Sequence, residues 1–241
     1  MLEKTRGIVL KVTDYSESSV VVQVFTEKFG LQSYLINGVK KAKAKIRLNM
    51  LQPLHLLHMV VYHKPNGNIQ RVSELRNEPV FQEIPYNIIK SSLVLFLNEV
   101  LYRSIRHHYD DERLFEYLFN AIEFLDRTES GLANFHLYFL VQLTKYLGFY
   151  PDRSYEETSE FFDLKDGVFS NLHPPHSFIL SGSQAKHFAD LLATRFEVLD
   201  KLKMPPRERK HLLEKILMYF QLHIEGFPEI KSHLILEEIL S

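Results

Sequence analysis

Across 241 residues there are 29 Lys and Arg and 30 Asp and Glu, a net charge of −1, with 45% hydrophobic and 12% aromatic side chains and no cysteine. The apolar content suffices for one large or two ordinary domain cores, and the missing thiols exclude disulfides, thiolate zinc sites and a cysteine nucleophile, as suits a reducing cytosol. Met1 to Arg6 contains no apolar signal core and no apolar run nears the roughly 20 residues that span a bilayer, so the chain is expected to be cytoplasmic with no membrane partner.

In chain order, residues 6–13 place Ile8, Leu10 and Val12 on one face of a strand and Val9 and Lys11 on the other. A polar turn at Asp14-Tyr-Ser-Glu-Ser18 leads into a valine-rich second strand over 19–26, which predicts a hairpin. Gly30 precedes a third strand over 31–36, and Asn37-Gly38 supplies turn chemistry. Strands over 54–63 and 69–75 flank Pro65-Asn-Gly-Asn68, a hairpin connection. Five strands without a long helix predict a small closed barrel of the OB type. After Pro79 the spacing turns helical, over 86–106, 112–126, 131–148, 184–200, 206–224 and 232–240. Asp110 or Asp111 is the expected N-cap of the second helix, and Gly148 with Pro151 stops the third. An irregular, aromatic and acidic insertion over about 151–176 carries a short hairpin at Asp166-Gly167. The expected organisation is therefore α+β and multidomain, with a five-stranded barrel over 1–79 and an all-helical domain over 80–241.

Charge divides along the same line. Residues 1–75 hold 11 basic and five acidic side chains, whereas 76–241 hold 18 basic and 25 acidic. Between Lys28 and Ser73 there are eight Lys or Arg and no Asp or Glu. Five of these, Lys40, Lys41, Lys43, Lys45 and Arg47, crowd one short segment, where mutual repulsion needs free solvation or an anionic partner. A phosphate backbone is such a partner; a solvated lysine-rich loop is the plainer alternative. Lys11 and Arg71 extend the track. Five neutralised phosphates would make log affinity for single strands fall with a slope of about 3.5 against log salt. Tyr15, in a polar turn, and Tyr62, beside a hairpin, are candidates for base stacking, which tolerates every sequence, while Phe25 and Tyr34 are expected in the barrel core. No groove-reading helix or finger is apparent, so sequence preference should be slight.

Two histidine clusters offer ligand or acid–base chemistry: His107-His-Tyr-Asp-Asp-Glu112 and His173-Pro-Pro-His176. The first lies where one helix ends and another begins, so histidine near a C-terminus and aspartate at an N-cap account for it structurally. No further ligands stand near the second. No phosphate-binding Walker loop, dinucleotide fingerprint, nucleophile elbow or zinc-protease helix occurs. Neither catalysis nor a cofactor is expected.

Gly7-Ile-Val-Leu10, Tyr15-Ser-Glu17, Val24-Phe-Thr26 before Gly30, Gly38-Val-Lys-Lys41 and Leu51-Gln-Pro53 resemble, in order and spacing, the amino-terminal half of the bacterial DNA repair protein family RecO. Leu147-Gly148, Phe162-Asp-Leu-Lys-Asp-Gly-Val-Phe169 and Ile230-Lys-Ser-His233 are similar to later landmarks of that family. The resemblance implies a recombination mediator without a catalytic centre: an OB-fold that binds single- and double-stranded DNA, joined to a partner-binding helical domain. Such proteins anneal complementary strands and, with RecR, help RecA load onto DNA coated by single-stranded DNA-binding protein, whose acidic C-terminal tail meets the helical domain. Many relatives carry a four-cysteine zinc site after the third helix; the corresponding region here has no cysteine, so no metal is expected. The late motif usually ends in Arg, and His233 stands there instead. On charge, Arg207, Arg209, Lys210 and Lys231 are candidates for the tail, with solvated helix ends as the alternative. An RNA-binding or ribosome-associated OB adapter, or a metal-dependent hydrolase built on the histidine clusters, are the competing readings of composition.

Overall fold

The computed structural model describes residues 1–65, 67–105 and 111–240, and groups the chain into two compact units, Met1–Arg127 and Thr128–Ser241. In the first, β1 (Leu2–Asp14), β2 (Val20–Thr26), β3 (Gly30–Ile36), β4 (Leu56–Tyr62) and β5 (Gln70–Asn77) close a barrel in the order β1-β2-β3-β5-β4. The seam between β3 and β5 is parallel and pairs only Tyr34 with Gln70 and Leu35 with Arg71; the other neighbours are antiparallel. Closure removes the free edges that five short strands would otherwise expose.

The interior is filled by the β-branched residues of alternating positions, among them Val9, Val22, Val24 and Val61, around the fully buried Tyr34 ring. Two sequence expectations change here. The pairing of β1 with β2 shifts between Val9 and Lys11, and the extra residue resets the alternation so that Val12 turns inward with Val9. Ile8 and Leu10 are buried outside the barrel, where α1 (Ile88–Ser104) packs on β1 and Asn98 Nδ2 donates to the Leu10 carbonyl at 3.1 Å. Phe25, expected inside, follows the inward Val24 and therefore faces outward, its ring 6.0 Å from Phe115 of α2 (Glu112–Arg127). Gly7 faces the interior, where a Cβ would meet Val24 Cγ1 at 2.5 Å and Met59 Sδ at 3.1 Å. Gly7→Ala is expected to destabilise the barrel by about 1–3 kcal/mol through overpacking, read as a lower denaturant midpoint with an unchanged m-value.

Both helices belong to the barrel's unit, so compactness divides the chain at Arg127 although composition changes at Pro79. The reason lies in the connection before α1. The buried Asp126 carboxylate, in the last turn of α2, accepts the backbone N–H groups of Gln82, Glu83 and Ile84 at 2.9–3.0 Å, and the buried Lys90 ammonium donates to the Asp126 carbonyl at 2.7 Å. Arg6 of β1 pairs with Glu27 at 2.8 Å and with Glu116 of α2, its guanidinium lying over the Phe115 and Phe119 rings. Asp111 caps α2 by accepting from the N–H groups of Arg113 and Leu114.

The second unit contains α3 (Leu132–Leu147), a small sheet of β6 (Phe161–Asp163), β7 (Val168–Ser170) and β8 (Ile179–Ser181) in the order β7-β6-β8, then α4 (Ser183–Ala193), α5 (Pro206–His223) and α6 (His233–Leu240). Gly148 ends α3 in the left-handed region (φ 90°) that glycine adopts freely. The hairpin at Asp166-Gly167 is present as β6–β7, but the third strand β8 adds to it. The helix expected over 184–200 stops at Ala193. Beyond it, Phe196 packs on Phe135 and Tyr138, and Asn134 Nδ2 donates to the Leu199 carbonyl, so contacts with α3 favour a tight 3-10 segment, Phe196–Lys201, over continued α-helix. Among the described residues, no helix is long and apolar enough to cross a membrane.

Candidate nucleic-acid interface

The basic segment follows β3 directly and folds as two successive turns. Gly38 takes a φ of 73°, Lys41 N–H donates to the Gly38 carbonyl at 3.1 Å, and Ala44 N–H to the Lys41 carbonyl at 3.0 Å. Buried Val39 and half-buried Ile46 join the barrel core and fix both ends of the loop. Four of the five cations lie between these apolar anchors and Arg47 directly follows the second, and all five are exposed. The loop is thus a shaped cationic surface and not a tether. Long Lys and Arg side chains on an anchored backbone present mobile charges at a fixed location, as a flexible phosphate chain requires.

Two contacts tie this loop to the β1–β2 turn. Lys40 Nζ lies 2.7 Å from Asp14 Oδ1, and Ser19 Oγ donates to Asn37 Oδ1 at 3.0 Å. Asp14, Val20 and Ile36 are lateral neighbours in the ladder, so Tyr15, 64% exposed, stands at the same end of the barrel as the cations. The Asp14 carboxylate offsets part of the loop's charge. Asp14→Ala is therefore expected to tighten single-stranded DNA binding about two- to fivefold at low salt, measured by fluorescence anisotropy, the size of an exposed ion-pair effect.

Arg71 and Tyr62 meet. They face each other across β4 and β5, while on its other side Arg71 pairs with Leu35 of β3. Leu35, Arg71 and Tyr62 thus form one outward row, and Lys45 reaches over from the loop. Lys11 is placed differently: its amine donates to the Tyr102 hydroxyl at 2.9 Å and sits 4.8 Å over that ring, held by α1. Asp14, Leu35 and Ile46 were missed in the sequence because only the strand register and the anchoring of the loop bring them here.

In the second unit, Arg207, Arg209 and Lys210 border a cavity of about 280 Å³ floored by Leu213, Leu236 and Leu240. Proline at the first turn of α5 starts the helix there, and helical spacing puts 206, 209, 210 and 213 on one face. Arg209 donates to the carbonyls of Met204 and Leu240, bracing α6 against α5, and Lys210 lies 3.0 Å from Glu237. Lys231 is exposed and does not line this cavity. His233 Nδ1 lies 2.6 Å from the Ile230 carbonyl, at the start of α6. His136 also lines the cavity, and burial, with Arg209 adding to it, pushes its imidazole down to about 3. An unfolded histidine takes up its proton near 6.5, so the stability tied to neutral His136 is complete above that pH and is lost as pH falls toward 3. The second unit is expected to be about 2 kcal/mol less stable at pH 5 than at pH 7, a dependence that His136→Gln removes; unfolding at both pH values measures it.

The histidine clusters do not gather into a site in the described residues. His173 packs edge-on against Phe161, and His176 Nε2 lies 3.3 Å from Asp163. Of the other cluster, His107 to Asp110 lie outside the described residues. Among those described, no three His, Asp or Glu side chains converge as metal ligands would.

Residues 1–77 match the family model for the recombination protein O N terminal domain, and residues 85–233 the model for the recombination protein O C terminal domain. The DNA repair protein RecO of Bacteroides fragilis is 35% identical over 240 residues, 99% of each chain. That of Phocaeicola vulgatus is 32% identical over 241 residues, 100% of each, and that of Flavobacterium johnsoniae 36% identical over 239 residues, 99% of each.

Proposed function

The chain belongs to the RecO family of DNA repair and recombination proteins, and on that premise we propose that it is a non-catalytic mediator that binds DNA through the barrel and its basic loop and anneals complementary strands. One observation carries this reading: the cations of an acid-free segment are displayed together on a loop anchored to the closed barrel by Val39 and Ile46. Annealing brings two polyanions together. Lys41, Lys43, Lys45 and Arg47, with Arg71 beside them and Lys11 extending the track, lower the repulsion between backbones and release counterions, and no bond is made or broken by the protein. Lys40 takes a smaller part because Asp14 already faces it. Tyr15 and Tyr62 offer faces to unpaired bases.

The second unit serves partners. The apolar cavity rimmed by Arg207, Arg209 and Lys210 fits an acidic, hydrophobic peptide end, and we assign it the C-terminal tail of single-stranded DNA-binding protein, with Lys231 as an outlying contact. In this scheme the protein acts in the cytoplasm with RecR to load RecA onto coated single strands. The test is annealing of complementary oligonucleotides coated with the cognate single-stranded DNA-binding protein. Wild type should accelerate annealing, and a Lys41, Lys43, Lys45 and Arg47 to Ala variant should not. Equal rates with and without wild-type protein would overturn the proposal, and stronger binding to RNA than to DNA of the same sequence would favour an RNA-binding adapter.

A further inference from the structure

We infer that α6 is a resident ligand of α5, and that an acidic, apolar peptide gains the cationic face of the second unit by displacing this helix. The inference rests on the tail-binding reading and adds how access to that site is controlled. The composition of α6, its contacts with α5 and the weakness of its hold support it.

α6 has the chemistry assigned to the partner's peptide. Its eight residues, His-Leu-Ile-Leu-Glu-Glu-Ile-Leu, combine five aliphatic side chains with two carboxylates and contain no Lys or Arg. It also makes the contacts such a peptide needs. Glu237 holds Lys210 at 3.0 Å, the Leu240 carbonyl accepts from Arg209 Nη2 at 3.2 Å, and buried Leu236 joins Leu213 in the floor of the cavity of about 280 Å³. Two cations of the rim are thus engaged by the chain itself. Arg207, exposed at the same rim, offers an incoming acid its first contact.

The hold on α6 is weak. An eight-residue helix is too short to persist by itself, so α6 depends on what it packs against. Leu236 is the one side chain of its described residues that is fully buried, and Leu234 and Ile235 are 57% and 62% exposed. The last turn carries Glu237 and Glu238 and no base, the wrong sign for the negative end of a helix. Glu237 is the weakest point: Oε2 faces Lys210, whereas Oε1 is buried without a hydrogen-bond partner among the described residues. A buried carboxylate oxygen left unsatisfied costs free energy that release into water recovers.

Displacement exchanges like for like. A peptide carboxylate replaces Glu237 on Lys210, the peptide's apolar side chains replace Leu236 over Leu213, and Glu237 returns to water.

The test is amide hydrogen exchange of the full-length protein with and without a saturating synthetic peptide of the cognate single-stranded DNA-binding protein's C-terminal tail. Exchange over 233–240 should speed up at least about fivefold on peptide binding, as for a segment released from its packing. Slower or unchanged exchange there in the bound protein would make α6 a fixed wall of the site and overturn the inference, leaving the tail-binding reading in place. Glu237→Gln, in protein whose thermal unfolding matches wild type, should bind the peptide about threefold more tightly, the scale of one ion pair. The same charge change at exposed Glu229, Glu229→Gln, should not. Equal effects of the two substitutions would reduce the role of Glu237 to net charge and also overturn the inference. No binding of the peptide to wild type would overturn the tail-binding reading itself.

Discussion

Asp126→Ala is expected to destabilise the first unit by about 4 kcal/mol. The carboxylate is buried and accepts three backbone N–H groups, of Gln82, Glu83 and Ile84, that connect the barrel to α1. Removing it leaves those donors without an acceptor, at about 1–3 kcal/mol each where water does not reach them. Partial relaxation toward solvent keeps the total below the simple sum. The segment also positions Lys90, whose buried ammonium donates to the Asp126 carbonyl, so loosening it disturbs a second buried polar contact. Asp126→Asn keeps one acceptor oxygen and should cost about half as much. Denaturant unfolding of the full-length protein measures both, and losses below about 1 kcal/mol for the alanine variant would show that the connection is not held this way.

The second large effect concerns binding. The variant with Lys41, Lys43, Lys45 and Arg47 replaced by Ala should lose about a thousandfold in single-stranded DNA affinity at 0.1 M salt. Each phosphate neutralised on a single strand releases about 0.7 counterion, which amounts to roughly 1 kcal/mol at that salt concentration. Four such contacts give about 4 kcal/mol. Stability should barely change, because these side chains are exposed while Val39 and Ile46 hold the loop. A substitution that abolished binding by unfolding the loop would instead lower the melting temperature. Lys40→Ala alone should do less than Lys43→Ala, since the Lys40 ammonium is already engaged by the Asp14 carboxylate and has less to give a phosphate.

The barrel was legible because its strands obey a period of two in β-branched residues and are punctuated by glycine, asparagine and proline. Each of the five expected strands is present within a few residues. What the period could not convey was a one-residue bulge after Val9, which moves Val12 to the other face, or the fact that the barrel's outside is itself covered by helices, which buries Ile8, Leu10 and Phe25 there. Both faces of β1 are apolar in sequence, and alternation carries little information when both sides are buried. The helices were legible from their spacing, except where α3 captures Phe196 and Leu199 and ends α4 early. Tertiary contacts there outweigh local preference.

The candidate interface was legible as charge but not as geometry. An acid-free run of 46 residues is visible in the sequence, whereas the pairing of Lys40 with Asp14 depends on strand register. Arg71 and Tyr62 lie nine residues apart and become neighbours only when β4 and β5 pair. In the second unit, Arg207, Arg209 and Lys210 were singled out by charge alone, and the structure adds the apolar floor from α5 and α6 that makes them the rim of a cavity. Lys231 carries the same charge but stands apart, because nothing in its sequence context indicates whether a helix face turns it toward that floor.

The salt dependence of single-stranded DNA affinity, compared between wild type and the four-residue loop variant, tests the central claim most directly. If the anchored loop is the phosphate contact, a plot of log affinity against log salt should lose about 2.8 from its slope in the variant, corresponding to four contacts at about 0.7 each. Parallel plots for the two proteins, with affinity reduced or not, would contradict the account, because the phosphates would then be neutralised by other parts of the chain.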